Sequence, residues 1–294
     1  MYVDGVFSGG GVKGFAFIGA CQILEEKGIR FKRVAGTSAG AILAAFLAAG
    51  YTSREIFEEM NTLDLNNMLD ESRFRSPISI LKWIPIYWRL GLYKGDALER
   101  WIRERLKKKG ISTFSDLSPG HLRLIASDLT NGRLIVLPDD LRKYQISPGS
   151  FSVATAVRMS CSLPFFFEPV RLKTKGGKAV IVDGGVLSNF PMWLFDANHM
   201  KLLRPVIGIK LSANGKDRQP RKIDNALKLF EALFLTMKDA HDARYISGIS
   251  KKNIIFIPTE GIMASEFSLT EEKKEALLQL GREQAEKFLK RWSY

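Results

Sequence analysis

The chain has 294 residues, 46% of them hydrophobic, and a formal net charge of +13, which suits a globular protein and indicates an anionic partner. No nucleic-acid-binding motif accompanies the charge, and the aromatic residues are not arranged as a base-stacking platform would require. An anionic membrane is favoured over nucleic acid because of one aromatic and basic segment, described below. The N-terminus lacks a basic region followed by an apolar core, and no apolar run reaches about 18 residues, so we expect a cytoplasmic protein without signal peptide or transmembrane segment that can associate peripherally with a membrane.

A glycine-rich loop follows the first predicted strand, residues 2–8, and precedes a helix predicted over residues 14–27. It reads Gly9-Gly10-Gly11-Val12-Lys13-Gly14. Glycines leave backbone N–H groups open to negative charge, as an oxyanion hole requires. The spacing also satisfies the G-x-G-x-x-G pattern of dinucleotide-binding loops, but that pattern expects an acidic residue closing the second strand, where this chain has none. An oxyanion hole is therefore favoured over nucleotide binding, and a simple tight turn is the plainer alternative.

The second predicted strand, residues 31–35, leads into a G-x-S-x-G motif, Gly36-Thr37-Ser38-Ala39-Gly40, and a helix predicted over residues 39–49. A strand–turn–helix setting is typical of a nucleophile elbow, in which flanking glycines allow a strained turn. Such a turn exposes the Ser38 hydroxyl and places the Ala39 N–H at a helix N-terminus, where it can contact a developing oxyanion. The pattern thus predicts Ser38 as a nucleophile.

Residues 74–93 form an aromatic and basic segment that follows a helix predicted over residues 53–62. Its Trp and Tyr residues are Trp83, Tyr87, Trp88 and Tyr93. Three basic residues recur every seven positions, and they are Arg75, Lys82 and Arg89. Tryptophan and tyrosine beside basic residues suit a membrane interface, although Pro85 would kink or break a helix here. A docking surface and an ordinary buried helix with basic side chains that reach the solvent are equally good interpretations.

An aspartate motif ends a later strand. The predicted elements ahead of it are a helix over 95–109, an antiparallel hairpin of strands 121–127 and 133–137 joined at Asn131-Gly132, and a helix over 150–160. The strand predicted over 179–182 ends in Asp183-Gly184-Gly185, so the carboxylate lies at a strand end, where open α/β sheets bind ligands. A simple Asp-Gly turn is the alternative. Because three motifs each follow an apolar strand, we expect them to gather at one edge of a parallel sheet.

Further strands over 206–211 and 253–258, with helices over 223–248 and 271–292, complete a pattern in which strands alternate with helices. Such alternation predicts an α/β fold of three layers, α/β/α, in which a mostly parallel sheet is covered by helices on both faces. The polar residues 214–221 are followed by further predicted strands. We therefore interpret them as a loop within a single domain that spans residues 1–294.

The order of the three motifs resembles the patatin-like phospholipases, whose pattern is G-G-G-x-K/R-G, then G-x-S-x-G, then D-G-A/G. Every motif position matches in this sequence. Residues 127–132 and 156–160 are similar to further family blocks, although Met159 stands where the family often has a small residue. The resemblance implies a patatin-like acyl hydrolase domain with a motif core over about residues 4–195, to which the strands and helices of 205–294 also belong.

The resemblance implies a serine lipid acyl hydrolase with a Ser–Asp dyad, in which Ser38 attacks an ester carbonyl and Asp183 accepts its proton. The implied oxyanion donors are the N–H groups of Gly9, Gly10, Gly11 and Ala39. The residues expected to support the motifs are Val12, Lys13, Gly14, Gly36, Thr37, Gly40, Gly184, Gly185 and Arg158. Lys13 is expected to fix the glycine-rich loop through helix-end carbonyls. Desolvation beside an apolar acyl groove would raise the pKa of Asp183 and make it a better base.

A histidine-dependent triad is the alternative, because the α/β-hydrolase order of serine, acid and histidine is satisfied by His199 or His241. Neither follows a predicted strand, and His121 precedes the acid, so the dyad is favoured. A catalytically silent lipid-binding protein on the same fold is a second functional alternative. No metal-ligand spacing is visible, and the resemblance implies catalysis without calcium or another cofactor. Cys21 and Cys161 are expected to be buried free thiols.

Overall fold

The computed structural model describes residues 1–62, 84–174, 177–195, 204–212, 223–224, 226–248, 251–259 and 269–292. Its α-helices are α1 (Phe15–Glu26), α2 (Ala39–Ala48), α3 (Ser53–Asn61), α4 (Ile84–Arg89), α5 (Asp96–Lys108), α6 (Val153–Ser160), α7 (Ala226–Gly248) and α8 (Glu271–Leu289). Its strands are β1 (Tyr2–Phe7), β2 (Arg30–Thr37), β3 (Gly91–Tyr93), β4 (Leu122–Asp128), β5 (Arg133–Leu137), β6 (Phe165–Phe167), β7 (Val170–Thr174), β8 (Gly177–Asp183), β9 (Val206–Ser212) and β10 (Ile254–Pro258).

Eight strands of the described residues form the central sheet, and its parallel part contains β10, β9, β1, β2 and β4 in that order. β5 joins β4 as an antiparallel hairpin, which confirms the predicted turn at Asn131-Gly132, where Gly132 has a positive φ of 60°. β8 is antiparallel to both β4 and β7. The sheet is therefore mostly parallel, as predicted, with an antiparallel portion that includes the strand of Asp183.

Side chains alternate between two cores, as expected of strands that are buried on both faces. On β1, Phe7 belongs to the larger core and Val6 to the smaller one, and on β2 the neighbours Val34 and Ala35 divide in the same way. Apolar residues of α1, α2 and α8 fill the larger core, while Ile246 of α7 belongs to the smaller core. This arrangement confirms the predicted three layers.

The short strands β3 and β6 form a separate parallel pair that the sequence did not predict. Each has three residues, too few for a periodic signal, and their partners lie more than 70 positions apart in the chain, so only the folded structure reveals them. Half of the segment 74–93, residues 74–83, and the whole polar stretch 214–221 lie outside the described residues. The prediction that all three motifs follow parallel strands is wrong for Asp183, because β8 runs antiparallel to β4.

Candidate active site

The turn between β2 and α2 holds Ser38 in a backbone conformation that few non-glycine residues adopt, with φ 54° and ψ −122°. A Cβ built on Gly36 would lie 2.2 Å from the Gly40 carbonyl oxygen, and one built on Gly40 would lie 2.4 Å from the Phe7 carbonyl oxygen. Both positions therefore exclude a side chain, because neighbouring backbone passes too closely. The local geometry is the strained strand–turn–helix that a nucleophile elbow requires.

Two residues at the end of α6 hold this elbow in place. Ser160 Oγ accepts a hydrogen bond from the Ser38 N–H at 3.0 Å and donates one to the Ile125 carbonyl at 2.6 Å, so it links the elbow to β4. The Cys161 thiol donates to the Ser38 carbonyl at 3.3 Å, and burial raises the pKa of this thiol, which keeps it protonated. The sequence did not reveal these contacts, because no motif indicates which helix packs behind the elbow.

The Asp183 carboxylate lies near enough to the Ser38 hydroxyl for that hydroxyl to lower its pKa, and its Oδ1 accepts a hydrogen bond from the Gly185 N–H at 2.7 Å. Asp183 is only 2% exposed. Burial raises the pKa of Asp183 to about 6, although the Ser38 hydroxyl, the Gly185 hydrogen bond and the charge of Lys238 act in the opposite direction. The carboxylate is thus mostly ionised at neutral pH, yet more basic than an ordinary aspartate.

Pairing along β4 explains how Ser38 and Asp183 meet. β5 pairs with β4 at both Ile125 and Ala126, so β2 and β8 must share the opposite flank of β4. On that flank Thr37, the last residue of β2, pairs with Ile125, and Asp183, the last residue of β8, pairs with Ala126. The two strands therefore converge head-on. Their last residues occupy adjacent positions on β4, which places the residue after Thr37 beside the carboxylate.

The glycine-rich loop lies beside Ser38, since a Cβ built on Gly9 would lie 3.3 Å from the Ser38 Cβ. Gly11 begins a 3-10 turn and Ala39 begins α2, so their N–H groups have no intrahelical acceptor and are suited to an oxyanion. The Gly9 N–H instead donates to the Asn189 carbonyl at 3.1 Å. The prediction of Gly9 as an oxyanion donor is therefore wrong, because its hydrogen is already engaged, whereas the other three donors stay predictions.

The predicted supporting residues lie in the turns around the site and behind it. Gly36 and Thr37 end β2, Gly40 lies in the first turn of α2, and the members in short 3-10 turns are Val12, Lys13, Gly14, Gly184 and Gly185. Lys13 Nζ donates at 3.0 Å to the carbonyl of Thr259, which directly follows β10, so Lys13 contacts a strand end where a helix end was predicted. Buried Arg158 donates to the Glu168 carbonyl at 2.7 Å and to Ser162 Oγ, and it therefore anchors the β3–β6 pair behind the site.

Among the described residues, no histidine is one of the groups that shift the pKa of Asp183. The groups that shift the pKa of Asp183, apart from burial, are a hydroxyl, a backbone amide and a lysine. His121 directly precedes β4, and its carbonyl accepts a hydrogen bond from the Val34 N–H at 2.7 Å, at the opposite end of β4 from the site. His241 is half-buried on α7, and His199 lies outside the described residues. The dyad and the triad alternative therefore both stay predictions.

Among the described residues, no group of three or more His, Cys, Asp or Glu side chains could hold a metal ion. No helix of those same residues combines the length and apolar character needed to cross a membrane. Cys21 and Cys161 are buried free thiols, as predicted.

Family comparison matches residues 5–196 to the model described as patatin-like phospholipase. This match contains the glycine-rich loop, the elbow and the aspartate turn, which are the three elements that meet at the site. The chain belongs to the patatin-like phospholipase family. The predicted resemblance is confirmed, and with it the general class of lipid hydrolases to which the fold belongs.

Relatives of this patatin-like chain include a bacterial protein of the same length. The uncharacterized protein YqhO of Bacillus subtilis is 58% identical over 100% of both chains. A cUMP-AMP-activated phospholipase of Escherichia coli is 30% identical over an alignment that covers 62% of this chain and 54% of that protein. The crystal structure of VipD from Legionella pneumophila superposes with a TM-score of 0.59 at 19% identity, covering 99% of this chain and 67% of VipD. At that identity the superposition shows a shared fold.

Proposed function

We propose that this chain is a serine lipid acyl hydrolase that cleaves fatty-acyl esters of membrane lipids through Ser38 and Asp183. The observation that carries the proposal is that Ser38, at a strained elbow, directly follows the end of β2 that meets the buried Asp183 at the end of β8. Family membership supports an acyl lipid as the substrate class. A carboxylate whose pKa is raised to about 6 accepts a serine proton more readily than an ordinary aspartate does.

In the acylation step, Ser38 Oγ forms a bond to the ester carbonyl carbon while its proton passes to Asp183. The carbonyl oxygen becomes an oxyanion, which the N–H groups of Gly10, Gly11 and Ala39 stabilise. When this tetrahedral intermediate collapses, the bond to the leaving alcohol breaks and the alcohol takes the proton from Asp183. The fatty acyl group is left as an ester of Ser38.

In the deacylation step, a water molecule transfers a proton to Asp183 as its oxygen attacks the acyl carbon. The second oxyanion accepts hydrogen bonds from the same N–H groups. When this tetrahedral intermediate collapses, the fatty acid is released and Asp183 returns the proton to Ser38 Oγ. Both steps balance with the chain's own groups and water. We therefore propose that catalysis requires neither calcium nor another cofactor, and activity is expected to survive treatment with a chelator.

Large apolar side chains are exposed on two helices. On α4, Tyr87 is 76% and Trp88 is 74% exposed. On α7, Leu229, Leu233 and Met237 are between 49% and 56% exposed, and their spacing of four residues places them on one face of the helix. Together with the net charge of +13, these residues support our proposal that the enzyme docks on an anionic membrane through α4 and α7.

Aromatic rings connect α7 with the dyad. The Phe165 ring contacts the Phe230 ring edge-on at 4.6 Å between centroids, and Phe230 stacks on Phe234 at 6.2 Å. The Phe234 Cζ lies 3.1 Å from where a Cβ on Gly185 would be, directly beside the turn that follows Asp183. This continuous apolar path suits an acyl chain that enters from a lipid surface, and it supports the assignment of a lipid ester as substrate.

Labelling with a fluorophosphonate, together with burst kinetics on a chromogenic ester, tests the proposal. The wild-type protein is expected to be labelled at Ser38 and to give a burst, whereas Ser38→Ala should lose both signals with little change in thermal midpoint. Ser118→Ala, at an exposed serine ahead of β4, is the matched control and should retain both. A folded wild-type protein with neither signal would instead indicate the silent lipid-binding alternative.

A further inference from the structure

A buried polar cluster lies behind the glycine-rich loop and consists of Asn189, Lys210 and Asp242, which we call the rear cluster. Asn189 Nδ2 donates to Asp242 Oδ2 at 3.0 Å, and Lys210 Nζ donates to the same oxygen. The three side chains come from different elements, because Asn189 follows the aspartate turn, Lys210 lies on β9 and Asp242 lies on α7. The cluster therefore joins three parts of the fold at one point.

Asn189 contacts both turns that form the site. Its carbonyl accepts the Gly9 N–H at 3.1 Å, and its Oδ1 lies 2.5 Å from where a Cβ on Gly9 would be. The same Oδ1 lies 3.6 Å from where a Cβ on Gly185 would be, and Gly185 donates to Asp183. Asn189 therefore sits between the glycine-rich loop and the aspartate turn, and its position determines how the two approach each other.

The other side of the loop is held by α7. Lys238, one helical turn ahead of Asp242, donates from Nζ to the Gly9 carbonyl at 3.4 Å. That carbonyl and the Gly10 N–H belong to one planar peptide unit, so a contact that orients the carbonyl also orients the hydrogen. Asn189 and Lys238 thus bind the N–H and the carbonyl of Gly9, and together they fix the direction of the Gly10 N–H.

Burial of an ion pair is a costly way to stabilise a fold, since apolar residues of similar volume often stabilise it as well or better. A buried pair with a fixed geometry is more valuable where it orients another group. In the rear cluster the oriented group is the side-chain amide of Asn189. Its Nδ2 donates to Asp242 Oδ2, and the charge of Lys210 holds that oxygen in place. The rear cluster is therefore arranged so that it holds Asn189 against the glycine-rich loop.

We propose that Asn189 is a positioning residue for the oxyanion hole, held by Asp242 and Lys210, and that Asn189 and Lys238 together direct the Gly10 N–H toward the oxyanion. This inference rests on the proposed hydrolase function. The positioning acts through Gly10, so its loss weakens stabilisation of the tetrahedral intermediate and leaves ground-state substrate binding intact.

Kinetics of Asn189→Ala, paired with inhibitor binding, test the inference. The value of kcat is expected to fall about ten- to a hundredfold with KM almost unchanged. A misdirected donor still stabilises the oxyanion in part, so the fall in kcat is smaller than for a donor that is missing. Affinity for a trifluoromethyl ketone, which forms a tetrahedral oxyanion adduct with the serine, should fall by the same factor as kcat/KM. Affinity for a fatty acid, which forms no such adduct, should not change. A merely structural role would not separate the two ligands.

Trp193→Phe is the matched control, because Trp193 Nε1 donates to Ser188 Oγ at 3.0 Å in the same segment. If this variant reproduced the kinetic change, general loosening of the segment would explain it and the inference would be overturned. Should Asn189→Ala fail to fold, half-buried Lys238 offers a second test. Lys238→Met is expected to show the same selective loss of ketone affinity at pH 9, where Asp183 is fully ionised in either protein.

The design separates failure of this inference from failure of the proposed function. Wild-type protein without fluorophosphonate labelling at Ser38 would contradict the hydrolase itself. Labelled, active wild type together with an Asn189→Ala variant of unchanged kcat and unchanged ketone affinity would contradict the positioning role alone.

Discussion

Replacement of Asp183 by asparagine is expected to inactivate the enzyme and at the same time stabilise its fold. Asparagine has nearly the same shape, its Oδ1 can accept the Gly185 N–H, and its Nδ2 can donate to the Ser38 oxygen. The contacts of the carboxylate with Gly185 and Ser38 thus both have replacements. What disappears is the buried charge, which is both the proposed base and the source of the unfavourable desolvation.

The size of the effect follows from the pKa of Asp183, which burial raises from 3.8 to about 6. This difference corresponds to about 3 kcal/mol of lost stability at pH 7, as an upper estimate. Because the pKa is raised in the folded state, the folded chain binds more protons than the unfolded chain between pH about 4 and about 6. The stability that this group contributes is therefore greatest below that window and declines as the pH rises through it.

Urea unfolding of the wild type and Asp183→Asn between pH 5 and pH 8 measures this effect. The variant should be more stable by up to about 3 kcal/mol at pH 7, and the gap should narrow to about 1.5 kcal/mol at pH 5. Its kcat should fall at least 10²–10⁴-fold, and wild-type kcat/KM should rise with pH through an apparent pKa of about 6.

Asp128→Asn is the matched control for a buried aspartate. Burial raises the pKa of Asp128, but hydrogen bonds from Tyr144 and Asn131 outweigh this and lower it overall. The control is therefore expected to destabilise the fold at pH 7, opposite in sign to Asp183→Asn. If Asp183→Asn were also less stable than the wild type at pH 7, or if its advantage grew on acidification, desolvation of Asp183 would not be the dominant effect.

Four further outcomes are expected. Gly11→Ala should lower kcat about 10²–10³-fold with little change in KM, and its φ of 59° should add a stability loss of about 1–2 kcal/mol, measured by thermal unfolding. Ser160→Ala leaves the part-buried Ser38 N–H without its partner and should cost about 1 kcal/mol in urea unfolding, together with part of kcat. Trp88→Ala combined with Leu233→Ser should weaken hydrolysis of anionic vesicles, increasingly so at high salt, where electrostatic attraction is screened, and spare a short soluble ester; equal loss on both substrates would contradict membrane docking. His241→Ala should retain most activity, and a loss as large as that of Asp183→Asn would restore the triad.

The site could be predicted from the sequence to the extent that local patterns encode it. The glycine pair around Ser38 is a local requirement, because Gly36 and Gly40 must both lack a side chain for the strained turn to form. The aspartate motif was recognisable because it too is a local pattern. The direction of the strand that brings Asp183 to Ser38 could not be predicted, since an apolar strand has the same composition whether it pairs parallel or antiparallel.

Contacts made by ordinary residues were also beyond the sequence. Asn189 and Ser160 each hold a backbone group of the site, and neither stands in a pattern that indicates its partner. The engagement of the Gly9 N–H by Asn189 is the clearest case, because the glycine run makes three adjacent amides look equivalent. Only the packing of Asn189 against the glycine-rich loop distinguishes the Gly9 N–H from those of Gly10 and Gly11.

The sequence by itself determined the three motifs, the order of strands and helices, the three-layer fold and the family, because these depend on periodicity and on residues that a turn cannot do without. Tertiary structure alone decided that β2 and β8 converge head-on along β4, that burial makes Asp183 a stronger base, and that Asn189 takes the Gly9 hydrogen. The physical reason is that strand direction, desolvation and the choice of hydrogen-bond partner all depend on groups distant in the chain, whose positions exist only once the sheet and its helices have packed.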